Sequence, residues 1–174
     1  MKAIQVLLAY SVAVLVIAFV CSPSAGGQVR PAYEVLNDKD SVVVIPSSFY
    51  FAGQSAPTQM RNAAAARIGK GRLVIAGMVD TSGYSTEISG KYEGFLITDS
   101  PILIGNKTLG TGAYGFGFSK KGTLNIFDLS SKQILSTQSK DDSEMKRPRP
   151  LQMISSGNGV RLYKGKSYIV IRPL

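Results

Sequence analysis

Residues 112–118 read Gly-Ala-Tyr-Gly-Phe-Gly-Phe, a strict alternation that places Tyr114, Phe116 and Phe118 on one side of an extended chain. A helix cannot use this pattern, because its period of 3.6 residues would scatter the rings around the axis. The ring-bearing side holds the large apolar area of the segment, so the alternation predicts a strand whose three rings face a core. The opposite side holds Ala113, Gly115 and Gly117, and such small residues let another backbone or a bulky neighbour come close.

Similar signals recur along the chain. Arg72–Asp80 and Tyr92–Thr98 are apolar runs of strand length, and Pro101–Ile104 leads into a turn at Gly105-Asn106. Lys120-Lys121-Gly122 turns the chain back into a strand at Thr123–Asp128, and Lys132–Ser136 is a further short one. Leu151–Ser155, Val160–Tyr163 and Ser167–Arg172 close the chain around turns at 157–159 and 164–166. This spacing predicts an all-β fold, a single antiparallel β-sandwich or barrel domain.

The first part of the chain is less uniform. β-Branched Ser41–Pro46 predicts a short strand, and Phe49–Phe51 either continues the sheet or plugs one end of it. Gln54–Arg67 admits two readings: Pro57 and the alanines 63–66 suit a helix, while the alternating small residues suit an extended chain. Ser139–Pro150 predicts a charged loop whose Asp141, Asp142 and Glu144 pair with the basic residues around them.

Ahead of this domain lies a leader. Lys2 supplies a positive start, Val6–Val20 is a 15-residue apolar run, and Ser22-Pro23-Ser24-Ala25-Gly26-Gly27 supplies breakers and small residues. That order predicts a signal peptide over residues 1–25, cleaved between 24 and 27, then an extended lead-in over 26–41 and a β-rich domain over 42–174. Two rivals stand beside it: an uncleaved anchor, since Ala3–Val20 is long enough to span a bilayer, and a lipoprotein acylated at Cys21, where Val20 is a poor preceding residue. The expected location is exported, either periplasmic or secreted.

Cys21 is the only cysteine and there is no histidine. The mature chain therefore builds no disulfide and no Cys/His zinc site, and packing alone must hold it. Neither a Ser–His–Asp triad nor Cys–His chemistry is available, and Gly105–Gly117 lacks the Gly-Lys-Ser/Thr end of a phosphate loop. No catalytic residue, cofactor or metal ligand is assigned. Asn37-Asp38-Lys39-Asp40 lacks the spaced acids of a calcium loop and reads as a plain turn. Asp80, Glu87, Glu93, Asp99 and Asp128 lie near strand ends, where paired carboxylates could serve glycoside hydrolysis but more commonly cap turns.

Taken together, Gly53-Gln54-Ser55-Ala56-Pro57, Gly77–Tyr84 (GMVDTSGY), Gly112–Phe118 and Lys146–Gln152 (KRPRPLQ) resemble segments of a group of small exported proteins of soil bacteria. The resemblance covers most of the mature chain. It implies export and brings no activity, ligand or site residue with it.

The formal net charge is +9, and from Lys120 onward 11 Lys and Arg stand against four carboxylates. Lys146, Arg147 and Arg149 are the candidates for a weak polyanion contact; otherwise lysines of this kind keep strand edges from pairing. Nucleic acid is not expected as a partner, and a membrane only if the leader is uncleaved or Cys21 is acylated. The expected function is non-enzymatic: an exported β-domain that binds an unknown partner or ligand. The alternatives are a carboxylate-dependent hydrolase of an extracellular polymer and a barrel carrying a small apolar ligand.

Overall fold

The computed structural model describes residues 33–174, so the leader and its cleavage site lie outside the described residues. The domain is an all-β sandwich of two antiparallel sheets. We number its elements in chain order: β1 Tyr33–Val35, α1 Asp38–Val44, β2 Ser48–Phe51, β3 Gln54–Ile68, β4 Arg72–Val79, α2 Thr86–Ser89, β5 Gly94–Thr98, β6 Ile102–Ile104, β7 Lys107–Leu109, β8 Gly112–Phe118, β9 Thr123–Phe127, β10 Gln133–Gln138, β11 Lys140–Asp141, β12 Arg149–Ser156, β13 Gly159–Gly165 and β14 Ser167–Pro173.

The larger sheet runs β1-β3-β4-β5-β8-β9-β10, with β2 paired to the first part of β3. The smaller runs β12-β13-β14-β6-β7, with β11 beside β14. Between them lies an aliphatic core that includes Ile68, Val74, Leu96 and Ile126 from one sheet and Ile104, Leu151, Leu162, Ile169 and Ile171 from the other. Phe116 is buried there, while Tyr114 and Phe118 are half-buried at its margin.

One open reading is resolved and two others are corrected. Gln54–Ile68 is a strand and not a helix. Its alanines alternate: Ala64 and Ala66 face the inter-sheet core, whereas Ala63 and Ala65 face a second, outer core. Both faces of this strand are covered, so the packing demands small side chains and overrides their helix propensity. Conversely, Ser41–Pro46 is not a strand. Asp38–Val44 forms α1, and the Asn37-Asp38-Lys39-Asp40 run is its start rather than a plain turn. The Asn37 side chain accepts the Asp40 N–H at 3.0 Å, Asp38 and Asp40 complement the helix dipole, and Ile45 turns extended ahead of Pro46.

The outer face of the large sheet is closed by the β2–β3 hairpin. One row of cross-strand partners there reads Ala63, Gly77, Phe95, Gly115, Phe127. Phe51 lies over Gly115, and a Cβ on Gly115 would overlap its ring. Phe49 stacks on Phe95 at 4.9 Å, and Phe51 stacks on Tyr92 at 4.0 Å. Gly117 admits the backbone carbonyl of Lys91, which a Cβ would displace. Among the described residues, no helix is long and apolar enough to cross a membrane.

Candidate functional site

The strand-end carboxylates are all engaged in holding local structure. Asp80 accepts the Ser82 N–H at 3.0 Å, and Asp99 accepts the Leu73 N–H at 2.9 Å. Glu87 pairs with Lys91 one turn along the chain. Glu93 accepts the Phe118 N–H at 2.8 Å and pairs with Lys164, which ties the large sheet to the β13–β14 turn. Asp128 accepts the Ser130 hydroxyl at 2.7 Å and the backbone N–H groups of Ser130 and Lys132. The Ser130 hydroxyl first, then the Lys132 N–H, hold its carboxyl below the usual range. None of these five carboxylates lines either of the two clefts described below. Among the described residues, no three Asp, Glu, His or Cys gather as a metal site.

Asp141 and Asp142 of the 139–150 segment pair with the small sheet rather than with neighbouring bases, which corrects the charged-loop reading, and Glu144 has no salt-bridge partner among the described residues. Asp142 accepts the Tyr163 hydroxyl at 2.8 Å and lies 3.9 Å from the Arg161 guanidinium. Asp141 accepts the Ser167 hydroxyl at 2.6 Å. The segment thereby roofs Tyr163, which is buried.

The first cleft opens on one lateral side of the sandwich and has a volume of about 690 Å³. It exists because β14 has two different neighbours on one edge. β11 pairs with Ser167 and Tyr168, and β6 pairs with Ile171 to Pro173. Between them, at Ile169 and Val170, the ladder is interrupted, and only the Gly105 N–H reaches the Val170 carbonyl. Gly105 has φ of +61° in the β6–β7 turn, and a Cβ there would stand 2.9 Å from the Thr137 hydroxyl. Glycine thus seats this turn against β10 of the opposite sheet.

Around this gap stand Lys107, Lys140 and Arg172 with Asn106, Ser136, Thr137 and Gln138. No Asp or Glu is among the lining residues. The Arg172 Nη2 donates to the Gly105 carbonyl at 3.1 Å, which fixes the guanidinium at the rim. Lys107 and Lys140 are exposed and have no carboxylate partner among the described residues. Three cations without a counter-charge produce a local positive potential, and the amides and hydroxyls offer directional hydrogen bonds.

The second cleft, about 560 Å³, lies between α1, β3 and β12. It takes in Arg149, one of the three cations singled out from the sequence. Lys146 and Arg147 are exposed on the preceding loop and line neither cleft. The structure therefore does not gather that trio into one site. Lys107, Lys140 and Arg172 were not legible as a set, since 65 residues separate the first from the last. The turn at Gly105-Asn106 was the one local signal pointing to their location.

Compared with known proteins, the chain matches no family model, no curated protein and no solved structure.

Proposed function

We propose that this chain is exported by its leader and works, in the periplasm or outside the cell, as a non-catalytic domain that binds a hydroxyl-rich anionic polymer such as a polyuronate. The lateral cleft would hold the polymer. The observation that carries this reading is the gathering of Lys107, Lys140 and Arg172, without a carboxylate, around a cleft lined by amides and hydroxyls. Carboxylates of a uronic acid chain would meet the cations, and its hydroxyls would meet Asn106, Ser136, Thr137 and Gln138. The order of charge, apolar run and small residues over 1–27 supports export. N-terminal sequencing of exported protein should find a mature end between residues 24 and 27.

Isothermal titration with an oligogalacturonate tests the cleft. Binding should weaken steeply between low and physiological salt, because bound counterions are released. Lys107→Ala with Lys140→Ala should weaken it about tenfold or more, at about 1.4 kcal/mol per tenfold. Lys146→Ala with Arg147→Ala should leave it nearly unchanged. Equal losses from both pairs would show that net charge, not the cleft, attracts the polymer.

A further inference from the structure

We infer that the second cleft is a separate binding site for a straight acyl chain with an anionic head, such as a fatty-acid carboxylate. The reasoning starts from a break in the β-sheet. β3 pairs with β4 at Thr58 and again from Ala63, and residues 59–62 have no cross-strand partner. On the other side β1 pairs only with 66–68 of β3, after which the chain leaves the sheet and becomes α1. β12 slips register between Arg149 and Gln152. These three irregularities leave a groove instead of a closed sheet corner.

The lining has two chemistries. Val35, Val42 and Met60 expose apolar side chains there, beside the buried Leu36, Ile45, Leu151 and Met153. This apolar surface includes Val42 of α1, which is 62% exposed. Arg61 and Arg149 also line the groove, and neither has a carboxylate partner among the described residues. The one acid in the lining is Asp38, in the first turn of α1. An apolar surface supplemented by two unpaired guanidiniums is complementary to a long aliphatic tail bearing a carboxylate, which arginine binds in bidentate fashion. A neutral apolar ligand would leave both guanidiniums unused. A volume of about 560 Å³ is in the range of small-molecule sites.

The test is titration of the purified protein with octanoate, decanoate and dodecanoate, each below its micelle concentration. Every added methylene that is buried should tighten binding about fourfold. Arg61→Gln with Arg149→Gln should weaken dodecanoate about tenfold or more while thermal melting stays unchanged, because both side chains are exposed. Val42→Asp should abolish binding in the same way. Lys107→Ala with Lys140→Ala should have no effect, which separates this site from the lateral cleft. Affinity that ignores chain length, or dodecyltrimethylammonium binding as well as dodecanoate, would overturn the proposal. So would a dimer, seen by sedimentation, that dissociates on Val42→Asp and occupies the groove with a second copy.

Discussion

The eight-stranded sheet buries both faces, but with different side chains. Toward the second sheet it presents Ile68, Val74, Leu96, Leu124 and Ile126, branched aliphatics that interdigitate with the same kind of residue opposite. Away from it, the sheet presents Ile75, Val79, Phe95 and Phe127 among small residues, and the cover brings four rings, Phe49, Phe51, Tyr84 and Tyr92, with Leu36 and Ile45. The difference follows from how much chain is available to cover each face. A whole second sheet can spread its contribution over many medium-sized residues. The β2–β3 hairpin and the segments around the two helices supply fewer residues, so rings carry much of the cover, each burying roughly 150–250 Å². Rings need room, and Gly77 and Gly115 provide it by register: each alternates with a phenylalanine along the same cross-strand row.

The largest effect should come from the inter-sheet side. Phe116→Ala removes a ring that is 1% exposed and should cost about 3–5 kcal/mol in denaturant unfolding. That is a large share of the roughly 5–15 kcal/mol that holds a small domain together. A loss under about 1 kcal/mol would refute its place in the core.

The outer face can be probed by addition instead of removal. Gly117→Ala places a methyl against the Lys91 backbone carbonyl, which cannot swing aside as a side chain would. It should cost about 1–3 kcal/mol. Gly157→Ala is the control: no atom lies within 4 Å of its added Cβ, so stability should hold to about 0.5 kcal/mol. Equal effects at the two positions would contradict the close approach at Gly117.

The smallest effect tests the cover itself. Tyr92 is fully buried and its hydroxyl has no hydrogen-bond partner among the described residues. Burial pushes that phenol well above its ordinary range, so it stays protonated. An unpaired buried hydroxyl is a cost, and Tyr92→Phe should leave stability unchanged or raise it by about 1 kcal/mol. A clear drop in the unfolding midpoint would instead mean that a buried water serves this hydroxyl.

Much of this sandwich is readable without coordinates, and the places where reading fails have a common cause. Period-2 alternation at 112–118 and the apolar runs at 72–79 and 94–98 specify strands through local geometry alone. The glycines between the rings likewise mark close approach, though not by what. Alanines 63–66 could be helical by propensity, and only burial on two faces makes them a strand. The valines of 42–44 favour a strand, yet the Asn37 cap and Pro46 bound a helix instead. Both clefts were illegible for a related reason. They arise where pairing partners change along an edge, at β14 and at β3, and pairing is a property of distant segments. By itself the sequence determined most of the strands, the glycine turns and the absence of histidine chemistry, because these depend on neighbours along the chain and on composition. Only the tertiary structure decided which faces were covered twice and which cations met across a gap, because register and coverage are set by contacts between residues far apart in the chain.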